Sequence, residues 1–247
     1  MTVHYPRLLA MGDAAWSLEL GASIDAEINQ RCQALAAMAR TAWHEKPAIR
    51  DIVPTFRSVT VYFDPLRVEA HAIGQQLLQW ADQTQGWTRS ARQWRLPVYF
   101  GGEHGLDLNT VAERTCADVA HFIDTLSHTD LQVYAMGFMP GFAYMASLPE
   151  ALRLPRLSTP RTQVPAQTLA IAQAMACVYP WASPGGWHLL GHMPIQLFDP
   201  RDADAPALLQ AGDAVRFYAV DQAECQSLLR AQSSDVAFRQ RFRGETP

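Results

Sequence analysis

The chain has 247 residues, 49% hydrophobic and 18% charged, with a formal net charge of −4. That composition supports a sizeable buried core, excludes a disordered or fibrous chain, and lacks the basic field that nucleic-acid binding needs. Lys46 is the only lysine among twenty basic residues, which excludes a Walker A loop and disfavours Schiff-base chemistry.

Arg7 to Gly12 and Ala15 to Leu20 read as two short strands around a Gly12-Asp13 turn. Ser23 or Asp25 offers an N-cap for a helix that places Ile24, Ile28, Cys32, Leu35 and Ala39 on one face. Ile49 to Phe56 reads as a strand that Pro54 pushes to an edge or a bend. Val59, Val61 and Phe63 alternate with Thr60 and Tyr62, a strand stopped by Asp64-Pro65. Val68, Ala72, Ile73, Leu77, Trp80 and Ala81 predict a second amphipathic helix. The order β-β-α-β-β-α predicts an α+β domain over 1–85, a sheet with helices on one face. The polar stretch Gln83 to Arg92 reads as a linker, and a second domain follows over 86–247.

Leu96 to Phe100 reads as a strand, Gly101 to Gly105 as a tight loop, and Asp107 to Ser127 as two short helices separated by a Thr115–Asp118 capping box. Val133 to Pro200 holds nine of the sixteen prolines and only five charged residues. Proline disfavours helices and long central strands alike, so this stretch predicts a barrel of short strands with ordered loops. Leu169 to Ala172, Trp187 to Leu190 and Ile195 to Phe198 are strand candidates, and Val215 to Tyr218 a closing strand. A helix over Asp221 to Ala231 and a charged, frayed tail complete the chain. No apolar run is long enough to cross a membrane, and the first residues do not read as a signal peptide. Cys32, Cys116, Cys177 and Cys225 read as free, mostly buried thiols of a cytoplasmic protein.

Three segments carry chemistry. Gly137-Phe138-Met139-Pro140-Gly141-Phe142-Ala143-Tyr144 is either a wall of a small-molecule pocket or a rigid turn whose aromatics enter the core, and residue types favour the turn. Arg156 and Arg161, in a proline-stiffened frame, are either anion-gripping forks or solvated surface arginines. Gly185 and Gly186 offer backbone N–H groups for an anion nest beside Trp187 and His188. His188 and His192 are four apart in a strand-like pattern, roughly 13 Å in space, which argues against a shared metal. Asp107, Asp118, Asp124 and Asp130 suit caps or solvated helix faces, and His128 a polar helix end.

Gly-Phe-x-Pro-Gly-Phe-x-Tyr at 137–144, Pro-Arg-x-x-Thr-Pro-Arg-x-x-Val-Pro at 155–165 and Tyr-Pro-x-x-Ser-Pro-Gly-Gly-Trp at 179–187 resemble the allophanate hydrolase subunit 1 family. That family includes KipI-like proteins and the B subunit of 5-oxoprolinase, and corresponds to the carboxyltransferase domain, subdomains C and D. Pro54 to Ser58, Gly101 to Glu103, Asp107-Leu108, His128 and Leu197 to Pro200 match as well. The resemblance implies an α/β domain before a cyclophilin-like β-barrel. It implies ATP-dependent opening of 5-oxoproline to glutamate, with a homologous C subunit and a further A subunit as partners. ATP with magnesium is expected from it alone, since no motif of the chain binds nucleotide. It also admits a non-catalytic KipI-type inhibitor of a kinase, or a carboxyltransferase-like half of a urea carboxylase system.

On this basis Arg156, Arg161 and His128 are the candidate catalytic residues. Phe138, Pro140, Gly141, Phe142, Tyr179, Gly185, Gly186, Trp187, His188 and His192 are the candidate substrate-binding residues, with no metal. The chain departs from the family pattern at Gln167, Gln173 and Cys177, where relatives typically carry glycine. It departs too at Met175 (glutamine in relatives) and His192 (arginine). A lost glycine adds side-chain volume where backbone approaches closely, and imidazole does not reproduce a permanently charged fork.

Overall fold

The structure is a computed structural model that describes residues 4–86, 91–116 and 118–244. The chain divides into two compact units, residues 1–90 and 91–247.

The first unit runs β1 (Arg7–Ala10), β2 (Ala15–Glu19), α1 (Ala26–Ala42), β3 (Ile49–Pro54), β4 (Ser58–Phe63) and α2 (Ala70–Asp82). Its antiparallel sheet has the order β1-β2-β4-β3, so β3 is an edge strand and Pro54 costs no central ladder bond. Asp25, not Ser23, caps α1, its Oδ1 accepting from the Glu27 and Ile28 amides. Cys32, Leu35 and Ala39 pack with Val59, Val61, Phe63 and Leu77 as the period demands. Two expected face residues lie outside this core. Ile24 precedes the cap and is 53% exposed, and Ala72 of α2 is exposed. Burial pushes the Cys32 thiol up to about 12, so it stays neutral. Gln83 caps α2 and Thr84 Oγ1 donates to Ala81 O, so the first part of the expected linker continues the unit. Residues 87–90 of that linker lie outside the described residues.

The second unit runs β5 (Gln93–Phe100), α3 (Leu108–Thr115), α4 (Val119–Ser127), β6 (Leu131–Met136), β7 (Ala143–Ala146), β8 (Arg161–Val164), β9 (Thr168–Ala172), β10 (Met175–Tyr179), β11 (Ser183–Gly185), β12 (His188–His192), β13 (Ala214–Ala219) and α5 (Gln222–Ser234). Seven strands close a barrel in the order β10-β7-β6-β13-β5-β12-β9, and β8 and β11 form a separate ribbon. An α+β unit followed by a cyclophilin-like barrel is thus what the chain forms. β13 closes it, parallel to β5 and antiparallel to β6. Leu96, Val98, Val133, Met145, Leu169, Ile171, Ala176, Val178, Leu190 and Phe217 fill the interior. Among the described residues, no helix is long and apolar enough to cross a membrane.

The structure corrects three local readings. Thr115 ends α3, its hydroxyl donating to Val111 O, and Asp118 alone caps α4. Ile195 to Phe198 forms no strand beyond one bridge from Phe198 to Ala207, because Pro194 and Pro200 withhold ladder donors. The tail is not frayed through Phe242. Val236–Phe242 is a 3-10 helix anchored by Arg239, which is fully buried and donates to Asp202 Oδ2 at 2.7 Å and to the Pro206 and Ala205 carbonyls.

Asp213 fastens the β5–β13 seam. Its buried carboxylate accepts from Arg92 at 2.8 and 2.6 Å, from Trp94 Nε1 at 3.0 Å and from the Gln210 amide at 2.8 Å. Removing one partner of such a buried pair leaves the other uncompensated. Asp213→Ala is expected to cost about 3 kcal/mol in denaturant unfolding of the full chain, whereas Arg7→Ala, at an exposed ion pair, costs about 1 kcal/mol or less.

Candidate functional site

Side chains alternate across the barrel wall. In β10, Ala176 and Val178 face the interior, so Met175, Cys177 and Tyr179 share the other face. In β7, Met145 faces in and Tyr144 faces out. The outer wall of β7 and β10 therefore presents Tyr144, Cys177 and Tyr179 together. Phe142 (buried), Tyr144 and Tyr179 are in ring contact, with the Phe142 centroid 4.8 Å from that of Tyr144 and 5.5 Å from that of Tyr179. Tyr144 is 6.3 Å from Trp187. Burial raises the pKa of both tyrosines and of the fully buried Cys177 thiol, opposed by the Arg156 charge. All three stay protonated at neutral pH, and the Trp187 amide hydrogen-bonds the Tyr179 hydroxyl.

A proline-stiffened strap, 155–160, crosses this wall. His188 Nε2 bonds Pro155 O at 2.8 Å, and the Leu157 amide donates to Gly186 O at 2.8 Å. These ties hold the Arg156 guanidinium 5.8 Å from the Trp187 ring centroid, a cation–π distance. Arg156 is exposed and has no carboxylate partner among the described residues. Arg161 differs. Its Nη2 donates to Asp107 Oδ1 at 2.7 Å, while Asp107 Oδ2 accepts from the Leu189 amide at 2.7 Å. Asp107, just ahead of α3, thus clamps the β8–β11 ribbon to barrel strand β12, and the Arg161 charge is already matched.

The β6–β7 loop supplies the aromatic rim. Phe142 N donates to Met139 O at 3.0 Å, closing the turn that carries Pro140. Gly141 has φ +80°, and a Cβ there would lie 2.6 Å from Phe198 Cβ. Phe142 enters the core, whereas Phe138, at φ 71°, stands 65% exposed with its ring edge-on to Phe142. The core-turn reading holds for Phe142, while Phe138 is left at the surface. Gly185 is a strand residue in register with Arg161 rather than half of an anion nest. A Cβ on it would collide with the Tyr179 hydroxyl, so close packing explains this glycine. The Gly186 carbonyl is occupied by Leu157.

A second cluster involves His192. Its ring stacks on His104 with centroids 4.1 Å apart, and His104 Nδ1 bonds Thr168 Oγ1 at 2.7 Å. Cys225 Sγ of α5 lies 3.9 Å from His192 Nδ1. Burial and then the His104 charge push His192 down to about 4, and burial lowers His104 against the pull of Glu103. Both rings are neutral at pH 7. His188 and His192 are turned to different partners, and no three His, Cys, Asp or Glu side chains among the described residues converge for a metal. Gln167 and Gln173, where the family pattern has glycine, keep left-handed backbone at φ 61° and 55°. Their amides still donate inward, to Tyr179 O and Leu154 O, both at 2.6 Å.

The structure thus brings Arg156, Phe142, Tyr179, Gly185, Trp187 and His188 to one wall, with Phe138, Pro140 and Gly141 on its rim. It does not bring His128 there. His128 ends α4, exposed and bonded to Asp124, at the opposite end of β6 from the aromatic loop, about 16 Å along the strand. Sequence reading named Asp107, Tyr144 and Cys177 but gave them no site role: the acidic side chain of Asp107 looked like a helix cap, and for Tyr144 and Cys177 the spacing of two from buried neighbours was the available signal. It missed His104 because only the fold places it on His192.

Comparison with known proteins adds the family context. Residues 6–209 match the family model described as the carboxyltransferase domain, subdomain C and D. The B subunit of 5-oxoprolinase from Bacillus subtilis is 31% identical, over 90% of this chain and 95% of that protein. Its namesake from Escherichia coli is 34% identical, over 89% of this chain and 98% of that protein. A crystal structure of TTHA0988 has a TM-score of 0.73 at 34% identity, covering 84% of this chain and 40% of that longer one.

Two outcomes are expected from this geometry. Gly185→Ala, which drives a methyl into Tyr179, destabilises by about 1–3 kcal/mol, while Gly186→Ala, whose Cβ would sit 3.5 Å from Pro160, is tolerated; paired melting curves compare them. His192 has a depressed pKa, so the unfolded chain takes up the proton first and stability falls with pH. The loss begins below the ordinary 6.5 and is complete near about 4. His192→Phe, which keeps a ring but not the titration, lessens the fall of the melting temperature across that window, and His104, lowered too by burial, contributes what remains.

Proposed function

The chain belongs to the family of the carboxyltransferase domain, subdomain C and D, and from that premise we propose that it is the B subunit of an ATP-dependent 5-oxoprolinase. The observation that carries this reading is the end-to-end likeness to two bacterial proteins of that name. A homologous C subunit completes the active complex, with an A subunit.

A lactam is a poor electrophile. ATP with magnesium, if bound by the complex, would supply a phosphoryl group to the lactam oxygen; one water adding at the ring carbonyl carbon would let the ring C–N bond break to leave an acyl phosphate, and a second water would hydrolyse that to the carboxylate and phosphate. Arg156 serves as the docking cation for the substrate carboxylate, because it is accessible, unmatched and set on the Trp187 face. Tyr144 and Tyr179, held as neutral phenols, orient the guest and exclude water. Asp107 and Arg161 position the ribbon and touch no reacting atom in this reading. The partner protein covers the exposed Phe138 rim.

A second reading, a KipI-type binding protein without turnover, is favoured by one observation. The fully buried Cys177 side chain lies near Arg156 where the family pattern has glycine.

Co-expression with homologues of the C and A subunits, followed by assay of 5-oxoproline-dependent ATP hydrolysis, separates the two. Turnover is expected, with Arg156→Ala lowering kcat/KM about tenfold or more through KM, and Arg161→Ala lowering the melting temperature instead. A complex that forms without turnover supports the binding protein. A requirement for a biotinylated carrier supports a carboxyltransferase half.

A further inference from the structure

The outer face of the β5–β13 pair carries a feature that the ring-opening site does not use. Two strands separate this pair from β10 in either direction round the barrel. Trp94 and Leu96 of β5 and Phe217 of β13 face the interior, so Arg95 and Tyr218 face outward. Over them runs the end of the chain's 3-10 helix. The Arg243–Trp94 bridge and the Gly244 amide, donating to Gln93 O at 2.8 Å, hold that segment on β5. Buried Arg239 anchors it from the other side. The result is a cleft of about 360 Å³ lined by Arg95, Tyr218, Arg241, Phe242, Arg243 and Gly244.

Three arginines line one small cleft of a chain whose net charge is negative. Among the described residues none of them has a carboxylate partner. Several other arginines do, among them a neighbour. In the adjoining cleft, which shares Arg95 and Gly244, Arg216 is neutralised by Asp130 at 2.6 Å. Arg95 instead lies 5.9 Å from the Tyr218 ring centroid, and Arg241 5.2 Å from that of Phe238. Ring faces orient guanidiniums without cancelling their charge. Burial and then the Glu224 charge raise the Tyr218 pKa, and Glu224 does not line the cleft. Like charges held together on a fixed backbone repel, and a multivalent anion relieves that repulsion. Planar forks match phosphoryl oxygens in pairs, and the cleft volume falls in the range of small-ligand sites.

We propose that this cleft binds a phosphate-bearing small molecule, its phosphoryl oxygens held by Arg95, Arg241 and Arg243. Tyr218 and Phe242 form the apolar flank, available to a ring if the ligand carries one. The site is separate from the Arg156 wall and does not depend on the ring-opening reading.

Calorimetric titration of the full chain, without its partners, with ATP and with inorganic tripolyphosphate tests it. Saturable binding is expected that weakens with salt. Arg95→Gln and Arg241→Gln each weaken it about tenfold, while Arg156→Gln leaves it unchanged. ATP binding tighter than tripolyphosphate identifies a nucleotide-like ligand, and equal affinity identifies free polyphosphate; both support the site. Unliganded melting curves establish that each variant is folded, and Arg243→Gln replaces either one that is not. The proposal is overturned if neither probe saturates at millimolar concentration, or if binding survives the cleft substitutions, whether or not Arg156→Gln abolishes it.

Discussion

One carboxylate fixes the geometry of the aromatic wall. Asp107 accepts from the Arg161 guanidinium with one oxygen and from the Leu189 amide with the other. That joins the β8–β11 ribbon to the barrel. The strap between Arg153 and Arg161 then has a fixed end, and its prolines leave it little freedom to wander. Arg156 sits over Trp187 because the strap is tied at Pro155, at Leu157 and at Arg161. A charge held this way loses little entropy when it grips a guest.

The chain's basic residues divide by what surrounds them. Nineteen of its twenty are arginine, a residue suited to forked, partly buried pairing rather than to solvated point charge. Arg239 is wholly inside and satisfied largely by backbone carbonyls. Arg92 and Arg161 are spent on Asp213 and Asp107. Among the described arginines without a carboxylate partner, four bear on a site: Arg156 on one wall, and Arg95, Arg241 and Arg243 on another. Each of these four lies against an aromatic ring or lines a cleft beside one, which keeps it in place without neutralising it.

Much of the fold was legible because burial writes periodicity into the chain. Val59, Val61 and Phe63 announced β4, and Cys32, Leu35 and Ala39 announced α1, through spacing alone. Pro54 placed its strand at an edge for a reason of hydrogen bonding. Contacts between residues distant in sequence left no such trace. Asp107 and Arg161 are far apart in the chain, as are His104 and His192, and only the closed barrel brings them together. Arg239 read as tail because a charged residue is rarely enclosed unless paired, and its partner Asp202 lies in another loop. Gln167 and Gln173 show the same limit from the backbone side. Their left-handed conformation is set by the turns around β9, not by glutamine's own preference.

The parallel contact between the first and last barrel strands has a consequence for synthesis. Ribosomes release the chain from its amino end, so β5 emerges more than a hundred residues before β13 reaches it. During that interval Leu96 and Val98 have no partner on one side, and an unpaired, apolar strand edge is a template for wrong association. Arg95 and Pro97 alternate with those two residues. A charge and a missing donor at those places act as gatekeepers for the nascent strand, guarding it until its neighbour arrives.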